Sequence, residues 1–121
     1  MTLRCFIVDD STHFLEAARS RLESDGLTVI GVASTIEQAL QQLDGAHPDV
    51  VLVDVNLGSE SGLDLARRMQ TETTVDPAKV ILISTQAEED LIDLVESVPA
   101  AALLPKTALS GMAIRRILDV R

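Results

Sequence analysis

Val50-Val51-Leu52-Val53-Asp54, VVLVD, decides how this chain folds. Four apolar residues in a row, three of them β-branched, show neither the alternation of a half-exposed strand nor the spacing of a helix. Such a run reads as a strand buried on both faces, the kind found in parallel sheets covered by helices. Its closing carboxylate then stands at the edge of a core, where a charge is costly unless something pairs with it.

The same pattern recurs on either side. Leu3 to Val8 reads as a buried strand and ends on two more carboxylates, Asp9-Asp10, in FIVDDS. Phe14, Leu15, Ala18 and Leu22 recur at helical spacing, and Asp25-Gly26 should end that helix. Leu27 to Val32 is the second strand. Ser34-Thr35-Ile36-Glu37 has capping-box spacing, with Ser34 as the cap and Glu37 reaching back. The helix after it carries Ile36, Ala39, Leu40 and Leu43 on one face, and His47-Pro48 breaks it.

Beyond VVLVD a polar loop runs from Asn56 to about Gly62. A helix around Leu63 to Gln70 and a linker through Pro77 follow. Lys79 to Ile83 is the fourth strand. Thr85 and Glu88 have capping-box spacing for a fourth helix that runs to about Ser97. Ala101 to Leu104 is the fifth strand, and Leu109 to Val120 the fifth helix. On that helix Leu109, Met112, Ala113, Ile117 and Val120 are placed toward the core, leaving Ile114 and Leu118 as an exposed apolar pair.

The count is (βα)5 in 121 residues, one domain spanning 1–121. Alternating buried strands and helices predict an α/β, doubly wound fold with a five-stranded parallel sheet. The expected order is the flavodoxin-like 2-1-3-4-5. Composition agrees: 46% apolar residues but 2% aromatics, with no Trp and no Tyr, make a core of Val, Ile, Leu and Ala. A net charge of −9 disfavours nucleic acid and anionic membranes as direct partners. No apolar run reaches the length of about 18 residues that a membrane span needs. The N-terminus does not have the build of a signal peptide. The single cysteine, Cys5, has no internal disulfide partner. The expected setting is the cytoplasm.

In a doubly wound sheet, ligands bind outside the carboxyl ends of the strands, near the point where strand order reverses. Those ends carry Asp9 and Asp10 (strand one), Asp54 (strand three), Ser84 (strand four) and, after Pro105, Lys106 (strand five). Strands one and three are neighbours, so three aspartates share a crevice. Two carboxylates about 4 Å apart repel by roughly 4 kcal/mol at an effective dielectric of 20. One lysine does not offset three acids; a hard divalent cation does. All-oxygen ligands with a vacancy for phosphate favour Mg2+. Lys106 would supply a point charge and Ser84 a hydroxyl to the phosphoryl oxygens.

These motifs resemble the receiver domain of bacterial response regulators over essentially the whole chain. The matching residues are VDD at Asp9-Asp10, Asp54 after VVLV, Ser84 after VILI, Lys106 in LLPK, and Gly62 eight residues past Asp54. The resemblance implies a non-enzymatic signal receiver. Asp54 would take a phosphoryl group from a histidine kinase, a histidine phosphotransfer protein or a small phosphodonor. Asp10 would bind Mg2+ directly, Asp9 through water, and Asn56 through its backbone carbonyl. Phosphorylation would switch the surface formed by the fourth helix, fifth strand and fifth helix. An acidic fourth helix (Glu88, Glu89, Asp90, Asp93, Glu96) beside Arg115, Arg116 and Arg121 suggests a homodimer through that surface. No output domain is legible, which leaves a stand-alone receiver or a segment of a longer regulator; LLPKTALSGMAIRRIL resembles actinobacterial single-domain regulators and leans the expectation toward the first.

Three positions depart from the family pattern. Leu103 stands where an aromatic switch residue is usual, β-branched Thr85 follows the hydroxyl, and Gly58 replaces a proline and predicts a more mobile loop. Asn56 and Gln86 occupy positions that tune loss of the phosphoryl group in the family. His13, just past the acidic pair, reads as a surface residue over one that approaches the pocket, and His47, in a loop beside proline away from the strand carboxyl ends, is assigned no role. Two rivals compete with phosphoryl acceptance. One is a phosphorylation-independent interaction module, against which the intact acid, hydroxyl and lysine set argues. The other is a phosphatase of the haloacid-dehalogenase type. It needs an acid two residues past its nucleophile, where this chain has the amide Asn56.

Overall fold

The computed structural model describes residues 2–85, 93 and 96–119. Five strands form one parallel sheet: β1 (Arg4–Val8), β2 (Thr28–Ala33), β3 (Val50–Asp54), β4 (Val80–Ser84) and β5 (Ala102–Pro105). Their spatial order is β2-β1-β3-β4-β5, the doubly wound order expected from the alternation of periods. Helices α1 (Thr12–Ser24), α2 (Ile36–Leu43) and α3 (Gly62–Glu72), together with a last helix over Gly111–Leu118, cover the sheet.

VVLV behaves as its composition demands. Val51 and Val53 join Phe6, Val8, Val80 and Leu82 in a core under α2 and α3, where Ala39, Leu65 and Met69 are buried. Val50 and Leu52 join Cys5, Ile7, Ile81 and Ile83 in a second core with Ala18 and Leu22 of α1 and Ile114 of the last helix. Each strand sends alternate side chains to opposite cores, so the sheet is covered on both faces. Cys5 lies inside, and burial pushes its thiol up to about 12, the state of an inert structural cysteine.

Helix ends follow local chemistry. The Ser11 hydroxyl accepts the Phe14 N–H to start α1. At the other end, Leu27 N–H reaches Leu22 O and Gly26 N–H reaches Glu23 O, with Gly26 at φ +91, a Schellman stop. The cap of α2 differs from the sequence expectation by one residue. Thr35 Oγ1 accepts the Gln38 N–H, and it is Gln38 that reaches back, its Oε1 accepting from Ser34 N–H. Glu37 instead accepts from Gln41 on the same helix. Thr35 and Gln38 preserve the three-residue capping spacing, one step on.

The last helix corrects the sequence reading more deeply. It starts at Gly111 behind a Ser110 cap. A Cβ on Gly111 would lie 2.6 Å from Asp25 Cβ and 2.8 Å from Leu27 Cδ1, so this position packs tightly on the end of α1. Residue 114 then shares the inward face. Ile114 is fully buried, whereas Met112 is 62% exposed and Leu118 half-buried. The polar loop expected after β3 contains pairing that the sequence reading did not include. Asn56 pairs with Ser61 and Leu57 with Glu60 in a two-stranded antiparallel ribbon. Gly58 sits in its turn at φ +72, a conformation closed to proline. The predicted fourth helix, with its capping pair and Gln86, falls largely outside the described residues.

Candidate functional site

The carboxyl ends of β1, β3, β4 and β5 supply the site, and short turns aim its side chains. Asp9 follows β1 and extends its pairing by donating its N–H to Ala33 O. Its Oδ1 accepts the Ser11 N–H at 2.8 Å, an Asx turn that leads straight into the α1 cap. Asp54 closes β3, and its Oδ1 accepts the Asn56 N–H at 3.1 Å. Ser84 closes β4, and Lys106 opens a 3-10 turn directly after β5. Asp9, Asp54 and Ser84 are 0%, 6% and 3% exposed, the buried polar side chains among the described residues. Asp10, Asn56 and Thr85 are exposed, and Leu103 is half-buried.

Lys106 reaches across the crevice. Its Nζ donates to Asp54 Oδ2 at 3.0 Å and lies 2.6 Å from Asp9 Oδ2. The second contact is the shorter of the two, so both acids hold the ammonium in a partly buried ion-pair cluster. The same Nζ stands 4.2 Å from the centroid of the Phe14 ring. Burial and the neighbouring Asp9 raise the Asp54 carboxyl above its ordinary value, although the Asn56 N–H and Lys106 pull the other way. Burial lowers the Lys106 ammonium, but Asp9 and Asp54 outweigh it and the net shift is upward.

Asp9, Asp10 and Asp54 each offer an oxygen, all within 4.8 Å of one another. An octahedral Mg2+ shell is about 4.2 Å across, so small side-chain movements bring this set onto one ion. The donors are hard oxygens, and three carboxylates against one ammonium leave two negative charges for a divalent cation. Tight backbone packing holds the acid of β3: Gly62 N–H donates at 2.8 Å to the carbonyl of Val55, the residue after Asp54.

Every site residue expected from the sequence lies at this edge of the sheet. The lysine's span to Asp9 and the ring of Phe14 beneath it were not read from the sequence, where Phe14 counted only as core. His13 and His47 are exposed. A hollow at the opposite, amino edge, lined by Leu43, His47, Pro48, Asp76 and Lys79, gathers no comparable acid group.

Comparison with known proteins points the same way. The family model of the response regulator receiver domain matches residues 5–116. The chain is 31% identical over 102 residues to protein-glutamate methylesterase/protein-glutamine glutaminase 1 of Methanosarcina acetivorans, covering 84% of this chain and 28% of that protein. It is 35% identical over 86 residues to the uncharacterized transcriptional regulatory protein YvfU of Bacillus subtilis, covering 70% and 42%. The chain thus spans less than half the length of either relative. A CheY-like response regulator receiver domain protein from Methanospirillum hungatei superimposes with a TM-score of 0.79 at 22% identity, covering 98% of this chain and 95% of that one. Among the described residues no helix is long and apolar enough to cross a membrane.

Proposed function

The chain belongs to the response regulator receiver domain family, and from that premise we propose that it accepts a phosphoryl group on Asp54 in a Mg2+-dependent reaction. The observation that carries this reading is the convergence of Asp9, Asp10, Asp54 and Lys106 at one sheet edge. The donor is a histidine kinase or histidine phosphotransfer protein of a two-component system. Residues 1–121 act as one receiver domain, on the cytoplasmic side, as a signalling switch and not as a turnover enzyme.

In this reading Asp10 would hold the metal directly and Asp9 through water, and Asp54 and the Asn56 backbone carbonyl would complete the protein's share. The bound cation supplies charge neutralisation for the transferring phosphoryl oxygens. An ionised Asp54 oxygen attacks phosphorus in line while the donor's bond to phosphorus breaks and its electron pair leaves with the donor. Lys106 turns its ammonium from the carboxylate to a phosphoryl oxygen, and Ser84 offers its hydroxyl to another. Ser84 ends β4 and Lys106 follows β5, so their movement reaches the adjoining surface of β5 and the last helix. With Leu103 in place of an aromatic, the change travels through backbone and packing. That surface is the one offered for partners, including a second copy of the chain.

Intact-mass measurement after phosphoramidate treatment tests the proposal. One phosphoryl mass should appear on the wild type with Mg2+, and none with EDTA or on Asp54→Asn. Labelling of Asp54→Asn would move the acceptor elsewhere. No labelling of the wild type would favour a phosphorylation-independent interaction module.

A further inference from the structure

The chain has two phenylalanines and no Trp or Tyr. Phe6 is buried in the core, but Phe14 is half-buried with the Lys106 ammonium 4.2 Å from its ring centroid. We propose that Phe14 is a positioning residue, whose ring face holds the Lys106 ammonium within reach of Asp9 and Asp54. The proposal rests on the reading of Lys106 as the cation that meets the phosphoryl group.

A lysine head is a point charge on a flexible four-carbon stem, so its placement has to be imposed from outside. Two carboxylates at 2.6 and 3.0 Å impose part of it. One of them, Asp54, is the group that reaction would change. The ring, like Asp9, is not altered by transfer, and its attraction comes from the fixed quadrupole of the π-face. The ring is also seated by the turn that orients the acid. Asp9 Oδ1 accepts the Ser11 N–H, and Ser11 Oγ accepts the Phe14 N–H. Asp9, Phe14 and the ammonium between them are therefore one unit set by residues 9–14. A leucine at position 14 fills a similar apolar space without a π-face, and a tyrosine keeps the face.

The chain contains two lysines, Lys79 and Lys106, and exposed Lys79 serves as an internal reference for NMR. In metal-free protein the Lys106 Hε protons should lie upfield of those of Lys79 through the ring current. That displacement should vanish in Phe14→Leu and return in Phe14→Tyr. With phosphoramidate and saturating Mg2+, Phe14→Leu should label about two- to fivefold more slowly, and Phe14→Tyr at the wild-type rate. A Lys106 shift that persists in Phe14→Leu, a wild-type labelling rate in that variant, or a Phe14→Tyr that fails to rescue would each overturn the proposal. Lys106→Ala separates the two levels. If it labels like wild type, the role given to Lys106 itself is wrong; if it is slow while Phe14→Leu is not, only the role of Phe14 falls.

Discussion

A Cβ placed on Gly62 would stand 1.8 Å from the carbonyl oxygen of Asp54. The start of α3 is thus pressed against the backbone of the residue on which the site depends. Gly62 is not at positive φ, so the constraint is pure space and no side chain satisfies it. Gly62→Ala must push α3 or the end of β3 away, and should cost about 3 kcal/mol, the upper range for overpacking a filled core. Urea unfolding would show it as a lowered midpoint. A midpoint equal to wild type would mean that the helix start gives way freely.

Asp54 and Lys106 should leave opposite marks on the pH dependence of stability. The Asp54 carboxyl is raised by burial and by Asp9, so its ionisation opposes folding. That cost is complete above its folded value and disappears as pH falls toward the unfolded value near 3.8. Asp54→Asn should therefore melt at a higher temperature than wild type in EDTA at pH 7, with the gain shrinking in acid. Lys106, raised by its two acids, contributes stability that is present below 10.5 and lost as pH rises through its folded value. Lys106→Met should lack that alkaline loss. Thermal melts in EDTA from pH 4 to 11 check both signs.

Asp10 is exposed, yet one of its oxygens belongs to the acid group. A directly bound ligand removed by Asp10→Ala should weaken Mg2+ at least tenfold, more than the loss of a typical supporting partner. Mg2+ titration followed by amide shifts around Asp54 measures it. Unchanged affinity would take Asp10 out of the metal shell.

The inward turn of the last helix can be tested by a pair of substitutions. Ile114→Ala empties a fully buried site and should cost about 3 kcal/mol. Met112→Ala trims a side chain that is 62% exposed and should stay within about 0.5 kcal/mol of wild type. The reverse ranking would restore the face on which Ile114 points outward.

Chain periodicity alone was enough for the architecture. Runs such as VVLV leave no exposed face, and a chain that alternates them with helical spacing has few ways to cover both sides of a sheet. Asp9, Asp10, Asp54, Ser84 and Lys106 were legible for the same reason: each ends a strand or follows it closely, and parallel strands bring those ends to one edge. Tertiary packing decided the rest. The phase of an eight-residue helix is weakly set by its own sequence, and the seating of Gly111 on Asp25 and Leu27 turned Ile114 inward. Whether a loop opens or pairs depends on its neighbours, and Gly58 closes a ribbon whose turn passes within 3.1 Å, measured from an added Cβ, of Asp10 Oδ2. The place of the Lys106 ammonium between two acids and a ring depends on residues 52 and more positions apart in the chain. Sequence spacing carries strand ends to a shared edge; the reach and direction of each side chain there exist only once the core has closed.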